Sequence, residues 1–267
     1  MSKININTIL NSKGKDKITV LTAYSCPIAK IIDSAGIDII LVGDSVGMVE
    51  AGLDSTLPVT VEEMTYHTKM VRRGTKNALL ITDMPFMSYQ TSNEVALKNA
   101  GVFVKEAGAE AVKLEGASAD TLDRIRAIVN AGIPVMGHVG LTPQSVNAMG
   151  GYKVQGKTTD DAERILEDAL MVEEAGAFSV VIEGVPSPLA KKITESLKIP
   201  TIGIGAGPDC DGQVLVINDL IGLNTDSKSP KFVKQYADVG NIIKSAVEKF
   251  GDEVKNKKFP KEEHSYK

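Results

Sequence analysis

Tryptophan is absent from this chain, and aromatic residues make up only 4% of its 267 positions. Stacking platforms for single-stranded nucleic acid need several aromatic faces, so that class of function has no support here. Positive charge is not in excess either. Thirty Lys and Arg stand against 34 Asp and Glu, a net charge of -4, and no basic stripe follows a nucleic-acid backbone. The short run Lys255–Lys258 reads as a solvated tail. Only two cysteines occur, Cys26 and Cys210, and they form no CxxC pair. A disulfide framework is therefore excluded, and a reducing cytoplasm is the natural compartment. No set of Cys and His has zinc-like spacing. No apolar run approaches the ~18 residues of a membrane span, and nothing reads as a signal peptide. The expectation is a cytoplasmic protein that acts on neither nucleic acid nor membrane.

What the chain does have is a repeating unit: a short apolar run, a polar turn, a helical stretch, a glycine, and the next run. Candidate strands are Lys17–Tyr24, Asp38–Asp44, Ala78–Asp83, Ala111–Glu115, Pro134–His138, Ser179–Glu183, Thr201–Gly205 and Gln213–Ile217. Most are apolar at consecutive positions, as strands buried on both faces of a parallel sheet are. About eight such units favour a closed (β/α)8 TIM barrel over an open sheet, and the length suits one barrel domain over 1–267. One unit is defective. The seventh and eighth runs lie too close for a crossover helix, so either that crossover is shortened or the eighth run is not a strand.

The helices carry their own punctuation. Thr60 with Glu63, Thr91 with Glu94, and Asp160 with Glu163 have capping-box spacing. Gly36, Gly74, Gly108, Gly132 and Gly176 stand where left-handed C-caps are expected. A last helix follows Gly222 with Ile242, Ile243, Ala246, Val247 and Phe250 on its apolar stripe. From about Gly251 a charged tail is expected to be loosely held. The connection Leu141–Thr158 is unusually long; its paired glycines, Gly150 and Gly151, suit a lid, and a subunit-contact loop is the alternative.

Four acidic residues each end an apolar run: Asp44, Asp83, Glu115 and Glu183. Strand C-termini are where the loops of an α/β barrel gather around substrate. Four carboxylates converging on one mouth repel unless a cation or a proton sits among them. Hard oxygen ligands suit Mg²⁺, which takes few protein carboxylates; the alternative is that each Asp caps the following helix. Lys113 and Glu115 are two apart on a strand and so share a face, either as a structural ion pair or with Lys113 holding a negatively charged substrate group. Glu183 is a candidate general base, His138 a candidate polarising donor, and Ser45 a candidate anion contact beside Asp44. Tyr24 reaches the same space. His67 and His264 attract no role. Gly203-Ile-Gly205-Ala-Gly207 lacks the third glycine of a dinucleotide fingerprint and reads as close backbone approach.

Taken in order, GDSVG at 43–47, TDMPF at 82–86, VKLEG at 112–116, MGHVGLTPQ at 136–144, GGYKVQG at 150–156, VIEGVP at 181–186 and IGIGAG at 202–207 resemble the ketopantoate hydroxymethyltransferase family, as does FPKEEHSY at 259–266. The resemblance implies a barrel of the phosphoenolpyruvate mutase/isocitrate lyase type. It implies hydroxymethyl transfer from 5,10-methylenetetrahydrofolate to 3-methyl-2-oxobutanoate through a metal-stabilised enolate, giving 2-dehydropantoate for pantothenate biosynthesis. The implied metal ligands are Asp44, Asp83 and Glu115, with Mg²⁺ or a similar cation. The implied keto-acid contacts are Asp44, Ser45, Asp83 and Lys113, and the implied proton acceptor is Glu183. A homodecamer is also implied. The rival readings are a class I aldolase with a Schiff base on Lys113, a carbon–carbon lyase of the same barrel superfamily, and a catalytically idle barrel.

Overall fold

The computed structural model describes residues 3–224 and 230–266. In chain order its elements are α1 (Ile6–Asn11), β1 (Ile18–Thr22), α2 (Cys26–Ser34), β2 (Ile39–Val42), α3 (Val46–Val49), α4 (Val61–Gly74), β3 (Leu79–Asp83), α5 (Asn93–Lys105), β4 (Ala111–Lys113), α6 (Ala119–Asn130), β5 (Val135–Gly140), α7 (Val146–Met149), α8 (Thr159–Glu174), β6 (Ser179–Glu183), α9 (Ser187–Ser196), β7 (Thr201–Ile204), β8 (Gly212–Leu215), α10 (Ile217–Leu220) and α11 (Val239–Lys255). The eight strands are parallel and close in sequence order, with β1 paired to both β2 and β8. All eight expected strands form: β6 has the expected bounds, β5 runs on to Gly140, β8 starts one residue early at Gly212, and the other five are trimmed at one or both ends. No helix lies between β7 and β8, as the spacing requires.

The continuous apolar runs hide a period of two. Ile18, Val20, Ile39, Leu41, Leu79, Ile81, Ala111, Met136, Val181, Ile202 and Val214 form one buried cluster, and most recur at alternate positions of their strands. Continuing that alternation toward the strand C-termini reaches Gly43, Asp83, Lys113, Glu115, His138 and Glu183. One face of each strand is thus apolar at one end of the barrel and charged at the other. Ile9 of α1 joins the apolar cluster, so α1 closes the N-terminal end. Burying that side chain contributes about 1.5–3 kcal/mol.

Local signals place the helices, with some shifts. Thr60 and Glu63 form the expected capping box. The other two boxes do not form: Ser92 caps α5 and Thr158 caps α8, each accepting a backbone N–H from three residues on. Gly36, Gly108, Gly132 and Gly176 have positive φ as expected, but Gly74 does not. Gly74 is needed for close packing instead, because a Cβ there would lie 2.5 Å from Cys26 O and 2.7 Å from Ala29 Cβ on α2. Asp33 at the end of α2 accepts the backbone N–H groups of Asn77 and Ala78, both at 2.8 Å, and so fixes the entry to β3.

The chain divides into two compact units, residues 1–216 and 217–267. The second holds α10, α11 and a 3-10 turn at Glu262–His264. Within it, the backbone N–H of Tyr236 donates to Leu220 O at 2.8 Å, and that of Val239 to Ile221 O at 2.9 Å. Gly251 lies inside α11, so the charged segment expected from about that residue starts as helix; its last residue, Lys267, lies outside the described residues. Ile242, Val247 and Phe250 on the stripe of α11 are exposed. Among the described residues no helix is long and apolar enough to cross a membrane.

Candidate active site

The mouth of the barrel is built from the ends of six strands. Register pairs Asp83 on β3 with Lys113 on β4, and Glu183 on β6 with Gly140 on β5. Across the first pair Lys113 Nζ lies 3.0 Å from Asp83 Oδ1, and it lies 3.6 Å from Glu115 Oε1. His138, which ends no strand but sits within β5, has Nδ1 at 3.4 Å from Glu115 Oε1 and Nε2 at 3.3 Å from Glu183 Oε2. Glu183 is the acceptor that His138 Nε2 faces among the described residues. Lys113 Nζ is also 3.3 Å from His138 Nδ1. Asp44 follows β2, and its backbone N–H donates to Asp83 Oδ2 at 3.2 Å. Ser45 Oγ lies 2.7 Å from the hydroxyl of Tyr24. A Cβ at Gly43 would lie 2.7 Å from Ser45 Oγ, so a larger residue there would push that hydroxyl off Tyr24.

Asp44, Asp83, Lys113, Glu115 and His138 are all buried, and Glu183 is the more open group, its side chain 16% exposed. Four acidic groups face one lysine and one histidine, and the compensation is uneven. Burial raises the carboxyl pKa of Asp44 well above its ordinary range, and Asp83 and Glu115 push it further. Burial also raises Asp83, with Lys113 offsetting part of the shift. Glu115 shifts down: burial pushes it up, but His138 and Lys113 outweigh that. Burial and Lys113 work against the His138 imidazolium, yet Glu115 and Glu183 lift its pKa to about 9. Lys113 is shifted up despite burial, because Asp83, Glu115 and Asp44 hold its charge. An ammonium held this firmly is a poor Schiff-base nucleophile, which speaks against the class I aldolase reading.

The imbalance centres on Asp44, which makes no ion pair among the described residues. Among the described residues its carboxylate meets one side-chain donor, the neutral amide of Gln144, at 2.9 Å. Buried carboxylates in this state fit a divalent cation held by Asp44 and Asp83. Glu115 fits direct ligation less well, since one oxygen accepts the Gln144 N–H at 3.0 Å and the other faces Lys113 and His138. Among the described residues no group of three or more His, Cys, Asp or Glu is gathered as a ready metal cage. Mg²⁺ keeps several waters and needs no such cage.

The family model for ketopantoate hydroxymethyltransferase matches residues 3–262. The chain belongs to this family. It is 61% identical over 251 residues to a 3-methyl-2-oxobutanoate hydroxymethyltransferase of Geobacter sulfurreducens, covering 94% of this chain and 93% of that protein. A Caldicellulosiruptor saccharolyticus protein of the same name is 55% identical over the full length of both chains. Family membership makes the chain a hydroxymethyltransferase. Its barrel is similar to that of 2,3-dimethylmalate lyase, a member of the PEP mutase/isocitrate lyase superfamily, with TM-score 0.63 and 15% identity, covering 99% of this chain and 90% of that one. Phosphonopyruvate hydrolase, in a complex with oxalate and Mg²⁺, has TM-score 0.62 and 15% identity, covering 99% and 93%. These two likenesses concern the fold.

Tyr24, Asp44, Ser45, Asp83, Lys113, Glu115, His138 and Glu183, all singled out from the sequence, lie at this one mouth; His67 is given no role there. His67 Nδ1 instead contacts Tyr24 O at 2.7 Å and steadies the end of β1. Sequence reasoning passed over Gln144 and Tyr89. Both are buried, and Tyr89 OH donates to Gln144 Oε1 at 2.9 Å. Gln144 closes the segment MGHVGLTPQ at 136–144, but neither residue ends an apolar run, so no periodic signal marks them.

Proposed function

We propose that the chain transfers a hydroxymethyl group from 5,10-methylenetetrahydrofolate to 3-methyl-2-oxobutanoate, giving 2-dehydropantoate. The observation that carries this reading is the buried, under-compensated carboxylate pair Asp44 and Asp83 beside the firmly charged Lys113. A divalent cation such as Mg²⁺, held by Asp44 and Asp83 with Glu115 reached through water, would supply Lewis acidity at the keto oxygen of the bound acid. Lys113 holds negative charge on that acid, and Ser45, fixed by Tyr24, contacts its carboxylate. Glu183, the most open of the four acidic groups, takes the proton from C3. His138 lies between Glu183 and Glu115 and holds both in place. The C3 carbanion supplies the electron pair of the new C–C bond to the folate's methylene carbon, while one water breaks the carbon–nitrogen linkage to the folate, provides the hydroxyl oxygen and leaves tetrahydrofolate as the second product. The loop 141–158, with left-handed Gly150 and Gly151 at its bend, serves as a lid. The family likeness also supports a homodecamer working in the cytoplasm.

The test is product formation. The purified protein, given Mg²⁺, 3-methyl-2-oxobutanoate and ¹³C-methylenetetrahydrofolate, should place the label in the new hydroxymethyl group of 2-dehydropantoate. Lack of labelled product, with both substrates intact, overturns the reading.

A further inference from the structure

We infer that Gln144 is a positioning residue that sets Asp44 and Glu115 for the reaction, with Tyr89 holding its amide in place. This role presupposes the metal-assisted chemistry proposed above. Gln144 follows Pro143 in a 3-10 turn at the start of the long loop, and its side chain is buried. The amide uses all four of its hydrogen-bonding capacities. Its Nε2 donates to Asp44 Oδ2 and to Met84 O, both at 2.9 Å. Its Oε1 accepts from Tyr89 OH at 2.9 Å and from Gln90 Nε2 at 3.3 Å. Two acceptors on one side and two donors on the other allow one orientation of the amide, because the flipped amide would set oxygen against a carboxylate. The backbone N–H of the same residue donates to Glu115 Oε2 at 3.0 Å. One residue therefore grips two of the acidic groups from opposite ends of its own frame.

Tyr89 completes the arrangement. Its hydroxyl also lies 3.2 Å from Glu115 N and 3.2 Å from Glu115 O, so it joins the backbone of Glu115 to the amide of Gln144. A residue that orients a metal-binding carboxylate without touching the metal typically affects affinity or activity by about 10–100-fold. The turn itself is closed by Ser145 N donating to Thr142 O at 2.8 Å. The lid segment beyond it is thereby anchored to the acidic groups at its first turn.

The test uses the full-length protein with Gln144→Met, which keeps length and loses the donors, and Tyr89→Phe, which keeps the ring and loses the hydroxyl. Calorimetric titration with Mn²⁺, kcat and KM for the keto acid, and Tm are measured for each variant and for the double variant. Gln144→Met should bind Mn²⁺ about 10–100-fold more weakly and lose kcat by a similar factor. Tyr89→Phe should show a smaller loss in the same direction, and the double variant should be no worse than Gln144→Met. A purely structural role would instead lower Tm and leave Mn²⁺ affinity and kcat of the folded fraction unchanged. That outcome, or losses that multiply in the double variant, overturns the role of Gln144. If Gln144→Met does not fold, Tyr89→Phe decides: weakened Mn²⁺ binding supports the role and unchanged binding overturns it. A wild-type protein that binds no Mn²⁺ overturns the proposed function itself, and this role with it.

Discussion

Asp211, in the short connection between β7 and β8, ties three segments together, and removing its carboxylate should cost the fold measurable stability. Its Oδ2 accepts from Thr201 N at 2.8 Å, Thr201 Oγ1 at 3.0 Å and Lys13 Nζ at 2.8 Å, while Oδ1 accepts from Gly14 N at 3.0 Å. These bonds tie the segment before β1, the start of β7 and the start of β8 to one carboxylate. Thr201 is fully buried, so Asp211→Ala strands its N–H at about 1–3 kcal/mol. The pair with Lys13, whose side chain stays 19% exposed, adds at most about 1 kcal/mol, for an expected total of about 1–4 kcal/mol. That is a large share of the roughly 5–15 kcal/mol by which domains are stable. Urea titration followed by far-UV circular dichroism should show the midpoint fall accordingly. A loss below about 1 kcal/mol would refute the reasoning. The pH dependence gives a second check. Burial pushes the Asp211 carboxyl up, but bonds from Lys13, Thr201 and Gly14 outweigh it and leave its pKa below the ordinary value. A depressed folded pKa contributes stability above the unfolded value, about 3.9, and that contribution is lost as pH falls through the folded value. The gap between wild type and Asp211→Asn should therefore narrow below about pH 4.

Other perturbations separate the roles at the mouth. Glu183→Gln should keep keto-acid binding and lower hydroxymethyl transfer by about 10²–10⁴-fold, the usual size of a lost general base, as read in steady-state kinetics. Asp44→Asn or Asp83→Asn should weaken Mg²⁺ binding in calorimetry, and unchanged affinity in both would remove them as ligands. Gly140→Ala should destabilise the fold by at least about 1–2 kcal/mol, since φ is +92° there and a Cβ would meet the Glu183 carbonyl oxygen. A thermal melt unchanged from wild type would show that β5 can shift to admit it.

Much of this is legible in the sequence alone. Apolar runs of similar spacing gave eight strands, and the short interval before β8 gave the missing helix. The charged groups were legible because they broke those runs at the same end, and Lys113 with Glu115 because strand parity places them on one face. Capping residues were less legible: Ser92 and Thr158 lie within two residues of the positions expected, where Ser, Thr and Asp compete on equal chemistry. Gly74 has the composition of a C-cap but the geometry of a packing contact, which depends on α2, a partner remote in sequence. Gln144 was illegible as a functional residue for the same reason. Its partner Asp44 is 100 positions away, and its own neighbours show no pattern. Short-range physics writes elements into a sequence, whereas contacts between loops at the mouth exist only once the barrel has closed.

The central claim is that these acidic groups activate C3 of a 2-oxo acid with the help of a divalent cation. Its most direct measurement needs no folate. 3-Methyl-2-oxobutanoate is incubated with the protein in D₂O, and loss of the C3 proton signal is followed by NMR. Exchange should be rapid with Mg²⁺, stop with a chelator, return on adding the metal back, and be absent in Glu183→Gln. Exchange at the wild-type rate with the chelator present, or in Glu183→Gln, would contradict the account.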